Sequence, residues 1–80
     1  MRYTMKVEIY GTVCPKCKKL FENAQAAVKI SGVDADVVKV EDIHEIMNAG
    51  IMMTPAIAID GEIKSSGKLL AVDDIKDLLT

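Results

Sequence analysis

The sequence predicts an α/β domain: a four-stranded mixed sheet with three helices on its two faces. Three observations carry that prediction. The apolar spacing alternates between a period of about two and one of about 3.6, in the order strand, helix, strand, helix, strand, strand, helix. An Asp60-Gly61 pair separates the last two strand-like runs, which marks a tight hairpin. The chain has 80 residues, 50% apolar and 28% charged. That is enough to bury one core and too little to divide between two, so residues 1–80 form a single domain.

Met5 to Tyr10 reads as the first strand, with Met5, Val7 and Ile9 alternating with Lys6, Glu8 and Tyr10. Gly11-Thr12-Val13 is a turn. Pro15 suits the first helical position, where its missing N–H costs nothing. From there to about Ile30 the apolar residues Cys17, Leu20, Phe21, Ala24, Ala27 and Val28 follow a helical period. Ser31-Gly32 ends that helix. Ala35 to Val40 is a second strand, rich in Val. Asp42 opens a short helix, with Glu45 three residues on at capping-box spacing. Its apolar face is Ile43, Ile46 and Met47, and Gly50 stops it. Ile51 to Thr54 leads into Pro55, and Ala56 to Ile59 is the third strand. Asp60-Gly61 turns the chain into Glu62–Ser66, and Gly67 breaks that strand. Val72, Ile75, Leu78 and Leu79 mark a last helix, with Asp73 and Asp74 where the helix dipole favours them. The first strand–helix–strand unit is expected to be a parallel, right-handed crossover. The hairpin makes the last pair antiparallel.

Composition excludes several functions. Ten basic residues against 12 acidic ones leave a formal charge of −2. No positive field is there to hold a phosphate backbone, and at 4% aromatic there is no stacking platform for single strands. No nucleic-acid partner is expected. No run approaches the ~20 apolar residues of a membrane span. Met1 to Lys6 carries charge near both ends, and no long apolar stretch follows, so no signal peptide is read there. The expected compartment is the cytoplasm, where thiols stay reduced. The expected state is a monomer.

Cys14 and Cys17, the two cysteines, are too few for a disulfide scaffold. A close pair in a reducing compartment reads as redox chemistry or metal binding. The motif Gly11-Thr12-Val13-Cys14-Pro15-Lys16-Cys17 lies between a strand and a helix. Cys14 falls at or beside the N-cap, in front of free N–H groups and the positive end of the helix dipole. Both favour thiolate over thiol. Lys16 and, more loosely, Lys18 and Lys19 add positive charge. Cys17 lies on the apolar stripe and is expected to face the sheet. An exposed, activated thiol beside a sheltered one suits dithiol exchange. Cys14 attacks a substrate disulfide, and Cys17 resolves the mixed disulfide.

In these residues the sequence resembles the thioredoxin superfamily, most closely its small archaeal and bacterial redox-active disulfide proteins, also called glutaredoxin-like thioredoxins. The resemblance spans essentially the whole chain. It rests on Cys14-Pro15-Lys16-Cys17 after the first strand, Thr54-Pro55 before the third, and Gly67 after the hairpin. It implies a thioredoxin-like βαβαββα fold and a thiol–disulfide oxidoreductase acting on protein disulfides without a cofactor. It further implies a cis proline at Pro55 beside the active disulfide, with the Thr54 backbone pairing an extended substrate segment. The implied donor is a thioredoxin reductase-like thiol donor, with glutathione the lesser alternative. The chain also departs from its larger relatives. Thioredoxins proper have Trp before the first cysteine and Gly-Pro between the pair, where this chain has Val13 and Pro15-Lys16. Glutaredoxins have Pro-Tyr between the cysteines and a Gly-Gly-Asp-like contact after the hairpin, where this chain has Ser66-Gly67-Lys68.

Other readings compete for the same residues. The cysteine pair also fits a thiolate metal carrier for copper or zinc. Such carriers follow their first helix with two strands and end in a strand, unlike this order. His44 reads as a solvated side chain off the apolar stripe of its helix. Met47, Met52 and Met53 read as core filling or an adaptable contact surface rather than soft-metal ligands. Glu8 lies six residues before Cys14, the offset at which thioredoxins proper keep a proton-shuttling Asp. It is either a solvated or Lys-paired residue, or a proton acceptor for Cys17.

Overall fold

The computed structural model describes residues 4–12 and 15–79. The elements are β1 (Met5–Tyr10), α1 (Pro15–Ser31), β2 (Ala35–Val40), α2 (Ile43–Asn48), β3 (Ala56–Ile59), β4 (Glu62–Ser66) and α3 (Val72–Leu79). This is a thioredoxin-like α/β fold, in the element order expected. Val13 and Cys14, the end of the expected turn and the first cysteine, lie outside the described residues.

The sheet order is β2-β1-β3-β4. β1 runs parallel to β2, with Val7 opposite Val37, and antiparallel to β3, with Tyr10 opposite Ala56. β3 and β4 form the hairpin. Ile59 pairs with Glu62, and Asp60 and Gly61 take positive φ of 53° and 85°, the geometry that suits the right-handed twist of flanking strands. Asp60 also ties the turn to β1, its N–H donating to the Lys6 carbonyl and its carboxylate accepting from the Lys6 N–H.

The register of that hairpin slips once. Ala58 pairs with Ile63 but Ile57 with Ser65, so Lys64 is an extra residue in β4. A bulge of this kind re-aims the side chains beyond it. Here it sets Ser66 opposite Ala56.

The sheet buries both faces. Val7, Ile9, Ile57 and Ile59 pack against Leu20, Ala24 and Ala27 of α1 and Ile75 and Leu79 of α3. On the other face Tyr10, Val40, Ala56 and Ala58 pack against Ile46 of α2 and Ile51. The Lys6–Glu8–Tyr10 face of β1 looks polar in sequence, yet its Tyr10 end is buried. The cause is tertiary: α2 and Ile51 close over that end of the sheet.

Both shorter helices are capped at their N-termini. The Asp42 carboxylate accepts from the His44 N–H at 2.8 Å. Asp74 reaches back to the Ala71 N–H at 3.3 Å, satisfying a donor the helix leaves open. Of the expected apolar face of α2, only Ile46 is buried. Ile43 and Met47 are 59% and 67% exposed. This six-residue helix over the end of the sheet buries one residue against it, and the Ile43–Met47 ridge, at i,i+4 spacing, points elsewhere.

Candidate functional site

The site is assembled at the end of the sheet where β1 stops and β3 begins. β1 continues into Gly11, whose N–H donates to the Val40 carbonyl at 3.0 Å. Because β3 is antiparallel to β1, the start of β3 lies beside that end. The chain therefore brings Gly11-Thr12 and Thr54-Pro55 to one end of the sheet, at its two central strands, though 42 positions separate the two threonines in sequence.

Cys17 is the third residue of α1 and is 0% exposed, as the apolar stripe requires. It is disulfide-bonded. The sequence holds one other cysteine, Cys14, outside the described residues. Gly11 makes room for Cys17. A Cβ built on Gly11 would press on the Cys17 sulfur and lie 2.8 Å from its Cβ. Gly11 is therefore required for space, and sequence reading treats it as a turn residue only. Its one sequence signal is its place at the strand end ahead of the pair.

The first turn of α1 carries no acidic side chain. Lys16, Lys18 and Lys19 are exposed around it. The helix end and these ammonium groups all favour negative charge there.

Pro55 is fully buried, and the Thr54–Pro55 peptide bond is cis. Its carbonyl accepts from the Gly67 N–H at 2.8 Å. Beside it runs a groove of about 260 Å³, floored by Ile46 and Ile51 and walled by Thr12, Ile43, Met47, Met52 and Thr54. Met52 and Met53 are 95% and 63% exposed. These methionines, like Met47, are therefore exposed and do not fill the core. The groove was only hinted at in sequence by the methionines before Thr54. Its Ile43–Met47 wall reads there as core.

Glu8 is partly buried, and its carboxylate accepts from the Tyr10 hydroxyl at 3.2 Å. The Lys6 ammonium lies 3.9 Å away. Strand alternation sets both on the α2 face, opposite Ile9. Tyr10 is held protonated above its ordinary pKa, chiefly by burial and then by the neighbouring Glu8 charge. His44 is exposed on α2. Among the described residues no three of His, Cys, Asp or Glu gather to hold a metal, so the carrier reading gains no ligand set from them. No helix among the described residues is long and apolar enough to cross a membrane.

This fold and site define a protein of the thioredoxin-like class, with a bonded cysteine in the first turn of its leading helix and a proline segment at the same end of the sheet. Comparison with known proteins agrees. A family model described as a thioredoxin domain matches residues 5–80. A thioredoxin of Methanothermobacter thermautotrophicus is 41% identical over 76 residues, 95% of this chain and 99% of that protein. A thioredoxin of Methanocaldococcus jannaschii is 40% identical over 79 residues, 99% of this chain and 91% of that protein. The chain belongs to the thioredoxin family. Its general chemistry is that of a thiol–disulfide oxidoreductase.

Proposed function

We propose that the protein exchanges its Cys14–Cys17 dithiol with disulfides of other proteins. The Cys14 thiolate attacks one sulfur of a substrate disulfide, forming a mixed disulfide and releasing the other sulfur as thiolate. Cys17, having lost its proton, attacks the Cys14 sulfur and expels the second substrate thiolate. Two electrons pass to the substrate, and the Cys14–Cys17 disulfide remains. No cofactor takes part. A thiol donor then returns two electrons to the pair. A thioredoxin reductase-like donor fits better than glutathione, since Ser66-Gly67-Lys68 replaces the Gly-Gly-Asp-like glutathione contact. A reducing compartment such as the cytoplasm suits this cycle.

The observation that carries the reading is Cys17: fully buried, disulfide-bonded, and seated in a helix turn free of acidic side chains. Pro15 starts that helix, and Lys16 adds positive charge beside the pair. Thr54 borders the adjoining groove, with the buried Pro55 next to it, and there the Thr54 backbone would pair an extended substrate segment. Glu8, engaged by Tyr10 and Lys6, has the supports of a paired structural carboxylate rather than those of a proton acceptor for Cys17.

The test is turnover of a disulfide-bonded protein with either a thioredoxin reductase and its nicotinamide donor or reduced glutathione with its reductase. Turnover is expected with the first. Failure to accelerate the reduction of any protein disulfide, even over dithiothreitol alone, would overturn the proposal.

A further inference from the structure

We propose that Ser66 is a positioning residue that aims the Thr54 backbone at the substrate. The inference rests on the exchange function proposed above.

The segment Met53–Pro55 is tied to the end of β4 at both of its ends. The Ser66 hydroxyl donates to the Met53 carbonyl at 2.9 Å. The Gly67 N–H donates to the Pro55 carbonyl at 2.8 Å. The Met53 side chain lies over Gly67, where an added Cβ would come within 3.1 Å of the Met53 Cβ and 3.2 Å of its Cε. Gly67 has φ of +79°, so a side chain there is unfavourable on two counts.

Between these ties stands Thr54, exposed and with no backbone hydrogen bond among the described residues. The Met53–Thr54 peptide is trans. In a planar trans peptide the carbonyl and the following N–H point in opposite directions. Holding the Met53 carbonyl on Ser66 therefore turns the Thr54 N–H away from β4. Thr54 itself walls the apolar groove, so that donor is presented on the groove's side of the segment. The Lys64 bulge makes this possible, because it is what sets Ser66 opposite Ala56. A ladder without the slip would place Ser66 one residue further along.

Ser66 is exposed, so its loss leaves the Met53 carbonyl to water and creates no buried unsatisfied group. Orientation is lost, and stability is nearly kept. That separates this role from a structural one. It also separates substrates: a peptide disulfide with backbone on both sides of its sulfur uses the Thr54 N–H, and an aryl disulfide without a backbone does not.

The experiment compares the full-length parent with Ser66→Ala, Ser66→Thr and Ser66→Val. Each is reduced, freed of reductant and mixed in single-turnover exchange with an extended peptide disulfide or a nitrothiobenzoate aryl disulfide, the half-saturation concentration serving as KM and the limiting rate as kcat. One hydrogen bond's worth of alignment predicts a rise of about three- to tenfold in KM for the peptide in the Ala and Val variants. Their kcat and their aryl disulfide rates should match the parent, and Ser66→Thr should restore KM. Thr and Val have nearly the same shape, so a difference between them isolates the hydroxyl. Unchanged peptide KM in Ala and Val, or equal losses on both substrates, overturns the positioning role alone. A parent that reduces the aryl disulfide but no peptide disulfide overturns the exchange function, and this role with it.

Discussion

Gly11 and Cys17 share one contact: the space that a side chain on Gly11 would fill is held by the sulfur and Cβ of Cys17. Gly11 is buried, and its N–H is bonded to Val40, so the strand end cannot easily withdraw. Cys17 is 0% exposed in the first turn of α1, which is itself packed on the sheet. Neither side has room to give. Gly11→Ala is therefore expected to push the helix start off the strand and to cost about 1–3 kcal/mol, as overpacking does. Denaturant unfolding measures the loss, and the rate of disulfide exchange should fall with it. A variant as stable and as active as the parent would show that α1 shifts freely.

How far the sequence reaches is visible in the same region. The Cys17–Leu20–Ala24–Ala27 stripe is legible because a helix buries a face at fixed spacing, and Asp60-Gly61 because its turn demands positive φ. The need for glycine at position 11 is not, since it arises only when the first turn of α1 packs the Cys17 side chain against the strand end. Ile43 and Met47 carry the same apolar signal as Ile46, yet two wall a groove and one fills the core. Periodicity records apolarity and not which neighbour covers it. The Lys64 bulge has no local signature at all: no Gly or Pro marks Glu62–Ser66. It is set by the pairing of β3, and with it the Ser66–Met53 bond, which joins residues 13 positions apart.

The burial of Cys17 predicts unequal thiols. Brief alkylation of reduced protein should label Cys14 first, with Cys17 following only as the helix start opens. Peptide mapping after limited iodoacetamide treatment reads the order. Cys17→Ser should accumulate a mixed disulfide with substrate, because the resolving thiol is gone, and Cys14→Ser should accumulate little. Faster labelling of Cys17 would reverse the two roles.

Lys16 stands exposed in a helix turn without acidic side chains. Its charge acts through solvent, so the effect on exchange is modest. Lys16→Glu should slow attack on a disulfide by about two- to fivefold at low ionic strength. The gap should narrow in about 1 M salt, where the screening length is about 3 Å. Stopped-flow exchange rates at two salt concentrations check this. A salt-independent gap would mean that Lys16 acts by packing and not by charge.

Tyr10 carries the pH dependence that the structure makes specific. Its hydroxyl is held protonated by burial first, then by the charge and hydrogen bond of Glu8 and the charge of Glu45. A phenol whose folded pKa exceeds its unfolded value of about 10 binds more protons folded than unfolded in the interval between them. Its contribution to stability is therefore whole below about pH 10 and is lost as pH rises through the folded pKa. Unfolding free energy measured in denaturant should fall across that alkaline range. Tyr10→Phe, which has no proton to lose, should flatten this component of the fall. Phenolate absorbance should show a transition above the ordinary tyrosine range that disappears in the same variant. Should Tyr10 titrate at its ordinary pKa, neither the burial of its hydroxyl nor the Glu8–Tyr10 bond is maintained in solution.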